Sequence, residues 1–186
     1  MADSNLEQHY KKYIEVNYGS DVPDNHVQRM LNTSAKEGDL KMLDYLVKEK
    51  NASVNVENGK DSALHLAAEG GNVLAGRKLL EHGAKIDHQG KEGNTPLHEA
   101  SIQGKSEFTS LLLAAGADVT VKNKKGETAL DVAQDNVYQL DTELLLKEAE
   151  QGKRPTWEEL GIKPPLRKKT MTEHAAKKSG SSLPDL

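Results

Sequence analysis

Apolar residues in the middle of this chain return in short phrases rather than in one long stripe. Ala63-Leu64, Leu66-Ala67-Ala68 and Leu79-Leu80 are followed 33 positions later by Leu97, Ala100 and Leu112-Leu113. Each phrase is closed by a glycine: Gly71 and Gly104 recur 33 apart, as do Gly83-Ala84 and Gly116-Ala117, with Ile86 and Val119 behind them. A phrase of this length predicts a short amphipathic helix, and a glycine permits the left-handed backbone that ends one. The pattern therefore predicts two short helices per unit, repeated at a fixed period.

The start of each unit carries its own logic. Thr95-Pro96-Leu97-His98-Glu99-Ala100 is echoed by Ser62-Ala63-Leu64-His65-Leu66-Ala67 and by Thr128-Ala129-Leu130-Asp131-Val132-Ala133. Thr95 can cap a helix through its hydroxyl, Pro96 suits the first helical position where no N–H is needed, and Leu97 opens the buried stripe. These residues resemble the ankyrin-repeat family, whose units of about 33 residues carry a Thr-Pro-Leu-His-x-Ala motif. The resemblance implies an all-α solenoid of helix-turn-helix units joined by β-hairpin-like loops. It covers residues 24–150 as four repeats, at about 24–57, 58–90, 91–123 and 124–150.

The units are not identical. In the first, Leu31, Ala35 and Gly38 align with Leu64, Ala68 and Gly71, but the motif is absent, as expected of a cap with a polar outer face. Asn51 to Asn55 is one residue longer than its counterpart and the turn through Asn58-Gly59 one shorter, so the first finger has its own shape. Gly76 interrupts a predicted helix beside Ala75, which points to close backbone packing. In the fourth unit, Asp141 and Thr142 replace Phe108 and Thr109, and an altered second helix is expected to carry Leu140, Leu144 and Leu145 inward.

Flanking segments complete the organisation. Residues 1–23 read as an amphipathic helix and linker, with a Ser4/Glu7 capping box and Leu6, Tyr10, Tyr13 and Ile14 on one face. Residues 151–162 read as a capping turn, opened by Thr156 with Glu159 and docking through Trp157, Leu160 and Ile162. Residues 163–186, with Pro164-Pro165, lysines and serines, read as a basic disordered tail.

Composition narrows the chemistry. With 35% hydrophobic residues, one Phe and one Trp, the 186 residues suit a stack of thin repeats better than one large core. The absence of cysteine excludes disulfides, thiolate metal sites and thiol nucleophiles. No stretch approaches the roughly 18 apolar residues of a membrane span and no signal-like segment opens the chain, so a cytoplasmic or nuclear protein away from membranes is expected. Gly104-Lys105-Ser106 resembles the end of a phosphate-binding loop, but Glu99 stands where that loop needs its first glycine. His65 and His98 occupy structural positions of the repeat, and His82 and His88 show no metal-ligand spacing, so no metal, cofactor or catalytic residue is assigned.

Charge is unevenly divided. Residues 151–186 hold eight Lys or Arg against four Asp or Glu, a net of +4, which leaves −8 of the formal −4 total for residues 1–150. Arg167-Lys168-Lys169 and Lys177-Lys178 match short nuclear-import patterns.

A concave repeat surface usually binds protein. The family resemblance implies which residues face it: Lys36 and Glu37 in the first repeat, Lys60, Asp61 and Glu69 in the second, Lys91, Glu92, Asn94, Ile102 and Gln103 in the third, and Lys124, Lys125, Glu127, Asp135 and Asn136 in the fourth. Ile102, apolar among polar neighbours, is the expected anchor. The expectation is a monomeric, non-enzymatic adaptor, inhibitor or assembly chaperone whose partner is a basic protein. The alternative is association with nucleic acid or chromatin through the basic tail, disfavoured by the acidic body and the tail's lack of aromatic residues for base stacking.

Overall fold

The repeat begins at a hydrogen-bonded cap. The Thr95 hydroxyl accepts the His98 backbone N–H at 3.4 Å and stands 2.8 Å from the His98 Nδ1, which also receives the Thr95 backbone N–H at 3.2 Å. Ser62 and His65 repeat the arrangement at 3.2 and 2.8 Å. The chain then turns into a short helix and stops at a glycine in the left-handed region, Gly71 at φ 73° and Gly104 at φ 61°.

The computed structural model describes residues 2–18, 23–56, 59–134, 140–161 and 164. Its helices run in order α1 (Ala2–Tyr18), α2 (Asp24–Glu37), α3 (Leu40–Glu49), α4 (Ala63–Gly70), α5 (Val73–Glu81), α6 (Pro96–Ile102), α7 (Ser106–Ala115), α8 (Ala129–Gln134) and α9 (Leu140–Glu150). The first helices of the repeats stack as an inner layer α2-α4-α6-α8, and the second helices as an outer layer α3-α5-α7-α9. No strand occurs among the described residues. Between α5 and α6 the loop makes a tight reversal at Lys91–Asn94, with φ of +52° at Glu92 and +73° at Gly93 and the Asn94 N–H on the Lys91 carbonyl at 3.1 Å. Positive φ at both central residues is the turn that matches hairpin twist.

The core lies between the two layers. Ser34, Ala67, Ala100 and Ala133 are buried in register and let the inner helices approach closely. Leu31, Leu64 and Leu97 fill one row beneath them, and Leu46, Leu79 and Leu112 another. Gly76 faces the largest buried side chain: a Cβ there would lie 2.5 Å from Phe108 Cζ and 3.0 Å from Leu111 Cδ2. The interior glycine of α5 thus makes room for the Phe108 ring of α7.

One reading of the sequence is corrected. In α9, Leu140 and Leu144 point outward at 72% and 58% exposure, while Thr142, Leu146 and Ala149 are buried and Leu145 is half-buried. Leu144 takes the register position of buried Leu111, but no further outer helix follows α9 among the described residues to cover it. At the other end, α1 begins at Ala2, and the side chains of Ser4, Leu6 and Glu7 lie outside the described residues. Ile14 is its buried contact, Tyr10 packs at 6.3 Å from Tyr45, and Tyr13 is exposed.

The C-terminal turn folds back over the outer layer. Thr156 and Glu159 form their capping box, with the Thr156 N–H on Glu159 Oε2 at 2.7 Å. Arg154 donates to the Leu113 and Ala117 carbonyls at 3.3 and 2.7 Å, satisfying the end of α7. Trp157 packs on the core, and Leu160 lines a cleft on the outer helices with Val73, Ser106 and Leu144. Ile162, the turn at 57–58 and the tail from 165 lie outside the described residues.

Candidate interaction surface

The inner layer and the fingertip loops form one continuous face, held in register by hydrogen bonds between repeats. His65 Nε2 donates to the Asn94 carbonyl at 3.0 Å and His98 Nε2 to the Glu127 carbonyl at 3.0 Å. Both Nδ1 atoms already face donors, so each ring is neutral with its proton on Nε2. Burial lowers the pKa of both, against the opposing pull of the carbonyls they bond. The fourth repeat has Asp131 at this position: its carboxylate accepts the Thr128 N–H and hydroxyl at 2.7 and 2.8 Å, which holds its pKa low.

Many of the residues expected at the surface are tied into this scaffold. Asp61 accepts the Lys91 N–H at 2.8 Å and pairs with the Lys91 ammonium at 3.5 Å. Lys36 pairs with Glu69 at 2.6 Å across α2 and α4. Asn94 accepts from Asn123 Nδ2 at 3.1 Å, and Asn123 also donates to Glu127 at 3.0 Å. The Lys124 N–H bonds the Glu92 carbonyl at 2.8 Å, which joins consecutive fingertips. Glu37, Lys60, Lys91, Glu92, Gln103, Lys124 and Lys125 are exposed, and Ile102 is 38% exposed. Asp135 and Asn136 lie outside the described residues.

A groove of about 430 Å³ opens on this face, lined by Asn32, Thr33, Lys36, Lys60, Leu66 and Lys91 among others. Beside it stands Glu99, which the sequence reading left inside the motif. Glu99 is half-buried and accepts the Asn94 Nδ2 at 3.0 Å. Burial raises its pKa, the Asn94 bond opposes that, and the charges of Asp61 and Glu69 raise it further. The motif's one unspecified position was the available signal for Glu99, because it repeats as Leu66, Glu99 and Val132. Among the described residues no three His, Asp or Glu are grouped to hold a metal ion, and no helix is long and apolar enough to cross a membrane.

Comparison with known proteins agrees with this architecture. The family model described as "Ankyrin repeats (3 copies)" matches residues 7–90, 31–123 and 77–155. Ankyrin repeat domain-containing protein 37 of Mus musculus is 39% identical over 106 residues, covering 56% of this chain and 64% of that protein. The nuclear factor NF-kappa-B p105 subunit of Gallus gallus is 33% identical over 150 residues, covering 60% of this chain and 15% of the longer protein. A transient receptor potential channel homolog of Caenorhabditis elegans is 38% identical over 117 residues, or 10% of its length. The chain thus spans under two thirds of these relatives, and what it shares with them is the repeat array. With motif, inner and outer layers and family match in agreement, the chain belongs to the ankyrin-repeat family.

Proposed function

We propose that this chain is a non-enzymatic protein-interaction module, working as an adaptor, inhibitor or assembly chaperone, and that its inner face binds a basic protein. The observation that carries the reading is the face itself: side chains from successive repeats are fixed in register by inter-repeat hydrogen bonds, so a partner meets a rigid surface. The charge of −8 over residues 1–150 favours a basic partner, through faster encounter and complementary contacts. Ankyrin repeats in general mediate protein–protein interaction, which supports the class of function and leaves the partner to experiment.

Affinity purification with mass spectrometry, repeated with Ile102→Asp and Lys91→Glu, tests the reading. Ile102→Asp is expected to lose partners, and Lys91→Glu, which makes the face more negative, to change their recovery; an unchanged partner set in both variants overturns the reading. Partners that are mainly acidic, or whose binding ignores salt, overturn the basic-partner version.

The net +4 of residues 151–186 favours one second reading, nucleic-acid or chromatin association through the tail, with residence in cytoplasm or nucleus. A gel-shift assay with the isolated tail and with the tail-deleted body separates the two. Retained nuclear signal after deletion of residues 163–186 removes the tail as an import element.

A further inference from the structure

Leu66, Glu99 and Val132 share one register position, and the stacking of α4 on α6 on α8 sets them in a single row along the inner face. One turn beyond Glu99, Ile102 adds apolar surface. A carboxylate is thereby framed by aliphatic side chains and half-withdrawn from water.

The surroundings leave this carboxylate short of positive charge. Asp61 and Glu69 each have their lysine, Lys91 and Lys36. No Lys, Arg or His nitrogen is in ion-pair distance of Glu99 among the described residues, where its only hydrogen-bond donor is Asn94. Asn94 is itself held by Asn123, so the acceptor geometry of Glu99 is fixed before any partner arrives. Nearby negative charge from Asp61 and Glu69 adds to the demand for a cation.

We propose that the apolar row Leu66-Val132-Ile102, with Glu99 at its centre, docks a basic segment of a partner protein and takes one of its arginine side chains. The arginine's methylene stem lies on the aliphatic frame, and its planar guanidinium donates to the Glu99 oxygens that Asn94 leaves available. Arginine suits the site better than lysine because its guanidinium is more weakly hydrated and forks onto a carboxylate. The inference rests on the inner face being the binding surface and names the chemistry that it reads.

The test is an amide chemical-shift titration of the isotope-labelled full chain with nona-arginine, nona-lysine and nona-glutamate peptides. Nona-arginine is expected to shift Leu66, Asn94, Glu99, Ile102 and Val132. Glu99→Gln, which removes charge with little change of shape, is expected to weaken binding at least tenfold, while Glu143→Gln on outer helix α9 leaves it within twofold. Equal binding by Glu99→Gln and the unmodified chain overturns the proposal, as does equal affinity for nona-lysine or an absence of shifts in the row. Shifts on the inner helices that survive Glu99→Gln remove the arginine site and leave the interaction surface standing. Shifts confined to other parts of the molecule overturn both.

Discussion

Replacing Gly76 by alanine sets two effects of opposite sign against each other. In an open helix interior the change stabilises by about 1 kcal/mol, because glycine loses more backbone freedom on folding. Here the added Cβ would stand 2.5 and 2.6 Å from Phe108 Cζ and Cε2 and 3.0 Å from Leu111 Cδ2. Phe108 and Leu111 are fully buried, so the ring has no solvent to move into. Overpacking of this kind costs about 1–3 kcal/mol, which outweighs the propensity gain and leaves Gly76→Ala less stable by about 1 kcal/mol. Urea unfolding followed by circular dichroism gives the sign directly. Phe108→Leu made in the Gly76→Ala background is expected to recover part of the loss, with a coupling energy of about 0.5–3 kcal/mol in a double-mutant cycle. A stabilised Gly76→Ala, or additive single effects, refutes the claim that Gly76 exists to seat Phe108.

Acid is expected to destabilise the stack through His65 and His98. Their folded pKa values lie below the ordinary 6.5, so the unfolded chain binds protons first and stability, intact above that pH, falls as pH drops below it. Denaturation midpoints taken from pH 7.5 downward are expected to show a slope of up to about 1.4 kcal/mol per pH unit for each histidine, with Asp61 and His88 near His65 and Glu127 and Asp131 near His98 as the groups that modulate it; a flat profile across that window refutes the neutral bridging rings. Leu146→Ala is expected to cost about 2–5 kcal/mol, and Leu144→Ala, at an exposed position, less than about 0.5 kcal/mol. Thermal melts that rank them the other way restore the inward reading of Leu144. Arg154→Ala removes the donor to the Leu113 and Ala117 carbonyls and is expected to cost about 0.5–1.5 kcal/mol; an unchanged denaturant midpoint refutes the cap.

What was legible in the sequence follows the repeat. The capping box of Thr95 with His98, the glycines that end the inner helices and the buried row Leu64-Leu97 are short-range patterns copied at 33 positions, so several copies vote on each assignment. Reading failed where the copies stop. Leu140 and Leu144 match an apolar pattern, but Leu144 is exposed where its register partner Leu111 is buried, and among the described residues no further outer helix follows α9, which no local signal reports. At the candidate site, the exposure of Ile102 was legible because an apolar residue stood among polar ones. The half-burial of Glu99 and its row with Leu66 and Val132 were not, because both are properties of the stack.

The two residue types found at the motif's fourth position explain how the array is directional. A histidine at this place does two jobs: its Nδ1 accepts at the cap of its own helix, and its Nε2 donates to a carbonyl of the following repeat, as His65 does to Asn94 and His98 to Glu127. A carboxylate can do only the first, since it has no proton to give. Asp131 therefore caps α8, and among the described residues it makes no bond to a following repeat. Beyond α9, Arg154 bonds the Ala117 carbonyl and Trp157 packs on the core. Had His98 been an aspartate, the stack would lose the inter-repeat bond to the Glu127 carbonyl. The position occupied by Leu66, Glu99 and Val132 varies without touching the ladder, because the inter-repeat bonds are made by the preceding residue of the same six-residue motif.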